Sequence, residues 1–132
     1  MTTFIDTSAL LAVLDADDEH HAQAKAQWIL LVESGADLLT TNYVLVETFA
    51  LVQARLGMDA VRTLDRDISP LIQVDWIDME RHLRAVAALV TAARRRLSLV
   101  DCASFDLMRR LGVQAAFTFD RDFSAQGFAA IP

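Results

Sequence analysis

Several common chemistries are closed to this 132-residue chain for want of the residues they need. A single cysteine, Cys102, excludes an internal disulfide and any multi-thiolate zinc site; it fits a reducing compartment and is expected as a small core residue. A single lysine, Lys25, and the lack of a glycine-rich turn after the first apolar segment exclude a Walker-type phosphate loop and a dinucleotide fingerprint. Four glycines and two prolines in a chain that is 54% hydrophobic leave no linker, repeat or low-complexity segment, so residues 1–132 are expected to form one domain. No apolar run approaches the roughly 18 residues of a membrane span. No basic leader precedes the first apolar run, which Asp6 interrupts, and the expected location is the cytoplasm. Positive charge is scarce too: 12 Lys+Arg against 18 Asp+Glu give a net charge of −6. That balance argues against nucleic-acid binding unless the acids are gathered in one place. Eleven of the twelve basic residues are Arg, the side chain suited to bidentate phosphate contact.

What the chain does contain is four acids set in apolar surroundings. Asp6 lies in Phe4–Leu11, Glu47 in Val44–Leu51, Asp101 in Leu97–Phe105 and Asp120 in Phe117–Phe123. Buried acids need a partner, and Arg121 is the only basic residue inside these stretches, so ion pairing cannot account for all four. A hard divalent cation with oxygen ligands can.

Hydrophobic periodicity predicts alternating strands and helices. Strands are expected at Thr3–Asp6, Leu38–Thr40, Leu71–Asp75, Ala115–Thr118 and, as an edge, Phe128–Ile131. Helices are expected at Thr7–Leu14, Asp18–Val32, Tyr43–Leu56, Met58–Asp67, Asp78–Arg95 and Ser98–Leu111. Ala22, Ala26, Ile29 and Leu30 are the expected apolar positions of the second helix, and Leu83, Val86, Ala87 and Val90 the core stripe of the fifth. Such alternation implies a parallel, doubly wound sheet, in which ligands gather at the carboxyl ends of the strands. Glu47 shares a helical stripe with Tyr43, Val44, Ala50 and Leu51, and Asp101 one with Phe105, Met108 and Gly112, so both point inward. Asp6 and Asp120 fall at strand ends, and all four acids can converge on one cleft. Singly, Asp101 also fits a capping box with Ser98, Asp6 a cap for the helix at Thr7, and Asp120 a turn residue.

In this order the four segments resemble the four signature segments of the PIN domain, and the size and leading Asp resemble VapC-type toxins of toxin–antitoxin systems. The resemblance covers nearly the whole chain. It implies a three-layer α/β/α fold around a central parallel sheet of about four to five strands. It also implies a Mg²⁺-dependent endoribonuclease, with Mn²⁺ as a substitute, that is usually a homodimer and is held inactive by a small DNA-binding antitoxin whose C-terminal segment occupies the groove. Within the Thr-x-Asp-x-x-Phe pattern, Asp120 is the principal acid and Asp122 an auxiliary ligand. Cys102 stands where the family more often carries a small aliphatic residue.

On this reading Asp6, Asp101 and Asp120 hold the metal, and Glu47 binds it or serves as a base through a water. Thr7, Ser8 and Thr118 orient carboxylates. Crowded carboxylates repel, which raises their proton affinity and favours cation binding. Arg94, Arg95 and Arg96 are expected either to contact the RNA backbone or to form a solvated helix end. The run Asp15, Asp17, Asp18, Glu19, His20 and His21 reads as a helix start, His82 as a surface residue, and Trp28 and Trp76 as core or interface. Two competing readings remain. Asp6-Thr7-Ser8 is similar to the opening of haloacid-dehalogenase-like phosphatases, but Ser8 stands where a second Asp is needed and no later Lys exists. A catalytically silent PIN-like module that binds RNA or protein is opposed by the retention of all four acids.

Overall fold

The computed structural model describes all 132 residues. Five strands, β1 (Thr2–Ile5), β2 (Asp37–Thr41), β3 (Gln73–Asp75), β4 (Ala115–Phe117) and β5 (Ala129–Ile131), form one sheet in the order β3-β2-β1-β4-β5. Every pairing is parallel, with Phe4 opposite both Leu39 and Ala116. The helices are α1 (Thr7–Leu14), α2 (His21–Glu33), α3 (Asn42–Leu56), α4 (Met58–Thr63), α5 (Met79–Ala92), α6 (Leu99–Leu111) and α7 (Arg121–Ala125).

Successive strand residues face opposite layers, as the two-residue period of a strand requires. Phe4, Leu39 and Ala116 join the core beneath α5, α6 and α7, with Phe105, Met108 and Phe123. Ile5, Leu38 and Phe117 face the other layer, with Leu10, Ala24, Leu31 and Val52. These two cores give the expected three-layer architecture. Cys102 is buried in the first of them.

Expectations for three elements need correction. The second helix starts at His21, not Asp18, because Asp15 and Asp18 accept hydrogen bonds from the backbone N–H groups of Asp17 and His20 and fold residues 15–20 into turns. It buries Ala24 and Leu31, whereas Ala22, Ala26, Ile29 and Leu30 are exposed. In α5 the buried line is Arg81 and Ala85; Leu83, Ala87 and Val90 are exposed and Val86 is half-buried. That helix also ends at Ala92, where Ala93 adopts a left-handed conformation with φ of 50°, so Arg94–Arg96 lie in a turn. Gln73 rather than Leu71 opens the third strand, since Pro70 sits in a short 3₁₀ turn, Ser69–Leu71.

β1 lies between β2 and β4, so the chain leaves it to one side first and returns to the other side more than a hundred residues later. This reversal is a topological switch point, where the carboxyl ends of neighbouring strands leave a crevice.

Candidate active site

Asp6 follows the last residue of β1 directly, and its backbone N–H continues the sheet by donating to the Phe117 carbonyl (3.1 Å). Although Asp6 occupies the N-cap position of α1, its side chain makes no cap bond. Its Oδ2 instead accepts from Ser8 Oγ (2.7 Å) and Thr118 Oγ1 (2.9 Å). Those hydroxyls accept in turn from the backbone N–H groups of Phe119 (3.0 Å) and Asp120 (2.9 Å). This mesh locks the end of β1 to the end of β4 and fixes one carboxylate oxygen. Asp6 is only 4% exposed, and burial raises its pKa above the ordinary value; the two hydroxyls oppose the rise, and the Asp120 charge adds to it.

Asp101 serves two roles. It completes a capping box at the start of α6, donating its N–H to Ser98 Oγ (3.0 Å) and accepting from the Ser98 N–H (3.2 Å). The same carboxylate faces the groove, where burial, followed by the charges of Asp120 and Asp6, pushes its pKa up to about 6 against hydrogen bonds from Ser98. The capping and site readings of Asp101 therefore describe one residue, as they do for Asp120, which caps α7 by accepting from the Asp122 N–H (2.9 Å). The helix α7 has no counterpart in the sequence-based elements; its single turn is too short for a period to register.

Asp6, Thr7, Ser8, Glu47, Ser98, Asp101 and Asp120 line one groove of about 260 Å³ with Leu11 and Leu51. Glu47 reaches it from α3, as its helical phase requires. Within the acidic set, Asp101, Asp120 and Asp122 come closest, with one carboxylate oxygen from each lying within 4.8 Å of the others. Asp122 thus joins the acids more tightly than its auxiliary place in the sequence suggests, while Asp6 and Glu47 stand further off. A donor set made only of carboxylate oxygens suits a hard divalent cation such as Mg²⁺ or Mn²⁺ and offers nothing to a thiophilic one.

The remaining residues divide. Ser8 and Thr118 orient Asp6 as expected. The Thr7 hydroxyl does not: it accepts from Thr48 Oγ1 (3.2 Å) and donates to the Val44 carbonyl (3.5 Å), tying α1 to α3 behind Glu47. Arg94 reaches Asp122 across the groove margin (3.4 Å), while all of Arg94, Arg95 and Arg96 are exposed. His82 is half-buried and hydrogen-bonded to the Tyr43 hydroxyl, so it is no free surface residue. Trp28 packs against the second core, whereas Trp76 is 70% exposed. Sequence spacing missed Thr48, which lies mid-helix with no distinguishing pattern.

Comparison with known proteins agrees with this geometry. The model of the PIN domain family matches residues 3–129. The chain is 36% identical over 129 residues to the 23S rRNA-specific endonuclease VapC20 of Mycobacterium tuberculosis, covering 97% of this chain and 96% of that one. It is 32% identical over 127 residues to the ribonuclease VapC26 of the same organism, covering 92% and 89%. The crystal structure of VapC20 superposes with a TM-score of 0.82 over 98% of this chain and 97% of that one, at 34% identity. FitAcB of Neisseria gonorrhoeae, at 15% identity and a TM-score of 0.69, shares the fold. No helix is long and apolar enough to cross a membrane. The four acidic segments, the parallel sheet that brings them together and the match along almost the whole length place this chain in the PIN-domain family, among its VapC-type members.

Proposed function

We propose that this protein is a divalent-metal-dependent endoribonuclease acting as the toxin of a toxin–antitoxin pair. The observation that carries the reading is the convergence of Asp6, Glu47 and Asp101 with Asp120 on one groove at the carboxyl edge of the sheet, Asp122 beside Asp101 and Asp120. Asp101, Asp120 and Asp122 would hold a Mg²⁺ or Mn²⁺ ion, with Asp6 as a further ligand. When bound, the cation supplies positive charge that neutralises the phosphate as negative charge develops on it. Asp6 Oδ2 stays fixed by Ser8 and Thr118, which leaves its other oxygen to face the groove in one orientation. Glu47, across the groove on α3, accepts the proton of the attacking water. Arg94, beside the groove at Asp122, and the exposed Arg95 and Arg96 that follow it draw the RNA backbone toward the acids.

Two partners fit this reading. Val46 on α3 and Met79, Leu83 and Val90 on α5 are exposed apolar residues, Met79 at 78% and Val90 at 71%, and the Tyr43–His82 contact joins the two helices. This face is the homodimer surface. The acidic groove is the seat of the antitoxin, whose basic side chains would occupy the place of the cation.

The test is cleavage of total cellular RNA and of ribosomes by protein freed of any co-purifying partner, with Mg²⁺ or Mn²⁺, comparing wild type with Asp6→Asn and an EDTA control. Discrete fragments that vanish in both controls are expected, and 23S rRNA is the first substrate to map, given VapC20. Metal binding with no cleavage of any RNA would favour the silent binding module instead.

A further inference from the structure

Outside the acidic groove, one aromatic arrangement extends from the second core to the surface. Phe119, between Thr118 and Asp120, carries the imidazole of His20 stacked flat on its ring, with centroids 4.4 Å apart and planes within 5°. Behind it Phe119 rests edge-on against Phe117, which is fully buried. The three rings form a column that runs from the core outward along the end of β4. The segment that carries the outermost ring is tied down by the His20 backbone N–H, which donates to Asp18 Oδ1 (2.8 Å), and the ring's Nε2 lies 3.3 Å from Glu19. The His20 side chain is nevertheless 40% exposed. One face of the imidazole lies on Phe119, so the exposed portion is the opposite face and the ring edge.

A flat aromatic ring backed by a second ring and partly open to solvent is what an unpaired base stacks on, and such stacking is indifferent to base identity because every base has a π-face. Its position is fixed relative to the acids. The Phe119 N–H donates to Ser8 Oγ, the hydroxyl that also holds Asp6, and the next residue is Asp120. We infer that His20, backed by Phe119, is a stacking subsite for an unpaired nucleobase of the RNA beside the scissile phosphate. The inference rests on the ribonuclease reading above and goes further than it, by placing a base as well as a phosphate. With Arg94 on the α5–α6 side of the groove and His20 on the α1–α2 side, the RNA is gripped by its backbone on one flank and by a base on the other.

The test measures binding apart from chemistry. A fluorescein-labelled single-stranded RNA of mixed sequence is titrated with the full chain in EDTA by fluorescence anisotropy, alongside the same RNA with one abasic nucleotide moved along it. Wild type, His20→Ala, His20→Leu and His20→Phe are compared after thermal melts show that each is folded. His20→Ala and His20→Leu are expected to lose affinity roughly ten-fold, the scale of one stacked base, while His20→Phe retains it. In wild type a single abasic position should reproduce that loss, and in His20→Ala the same position should have no further effect. Equal affinity of wild type and His20→Ala, or His20→Leu binding as well as His20→Phe, would overturn the inference while leaving the nuclease intact. Cleavage of RNA by wild type in Mg²⁺ separates the two readings: RNA cut normally by His20→Ala with unchanged KM removes the stacking subsite alone, whereas an absence of RNA binding and cleavage by wild type removes both.

Discussion

Removing a charge from the active site should stabilise this protein. In the metal-free state the Asp101 carboxyl titrates near 6 instead of 3.8, because burial and the neighbouring Asp120 and Asp6 charges disfavour its ionised form. A raised carboxyl pKa means that the folded chain holds a proton more tightly than the unfolded one, so this group contributes nothing adverse below about pH 4. Its penalty grows as pH rises from about 4 to 6 and is complete above that. The gap corresponds to about 3 kcal/mol at 1.36 kcal/mol per pH unit, reduced to about 2 kcal/mol by the water that reaches the open side of the groove. Asp101→Asn removes the penalty and keeps an acceptor for the Ser98 N–H, but it forfeits a negative charge at the start of α6, a loss of about 0.3–1 kcal/mol. The net gain near pH 7 is about 1–2 kcal/mol, which for a chain of this length raises Tm by about 4–7 °C. Near pH 4 the gain should vanish. Thermal unfolding by circular dichroism in EDTA at both pH values checks the argument, with Mg²⁺ added as a third arm: the cation should raise the Tm of wild type and far less that of Asp101→Asn. A variant that is less stable near pH 7, or a gain of equal size at both pH values, would refute the electrostatic account and leave Asp101 as a cap alone.

Other outcomes are sharper in sign than in size. Thr118→Val removes a donor to buried Asp6 and the acceptor for the Asp120 N–H, so it should cost about 1–3 kcal/mol in urea unfolding and lower the cleavage rate more than RNA affinity. Asp75 is the carboxylate partner of buried Arg81 (2.7 Å) and also meets Arg110 (3.4 Å); Asp75→Ala would strand the Arg81 charge and should destabilise by about 3–5 kcal/mol. Substituting Arg94, Arg95 and Arg96 together by Ala should weaken RNA binding and flatten its dependence on salt, and an unchanged slope in a salt titration would leave them as a solvated turn. In analytical ultracentrifugation wild type should sediment as a dimer and Met79→Asp with Leu83→Asp as a monomer of unaltered secondary structure.

Sequence periodicity located the acids well and the helix faces badly, for one physical reason. An acid on an apolar stripe is an exception that only a special environment tolerates, so Glu47 and Asp101 declare their direction. An apolar residue on a helix carries no such information about which partner covers it. In α2 the run Trp28-Ile29-Leu30-Leu31-Val32 is apolar all round, and any stripe drawn through it is arbitrary. In α5 the stripe through Leu83 and Val90 is real but faces away from the sheet, while the side that packs inward carries Arg81 and Ala85. The pattern found an apolar face and assigned it to the wrong neighbour. Residues whose roles depend on contacts across the fold, such as Thr7 turned toward α3 or His20 on Phe119, leave no trace in local spacing.

The bond between Thr118 and Asp6 joins residues 112 positions apart, and β1 acquires its β4 neighbour only when that late segment arrives. A chain emerging from the ribosome therefore carries Asp6, then Glu47, then Asp101, before the fourth acidic segment exists. Asp120, Asp122 and one of the two hydroxyls that fix Asp6, that of Thr118, are delivered together, more than a hundred residues after Asp6. The groove of such an enzyme is therefore a product of long-range pairing, closed only when β4 settles beside β1.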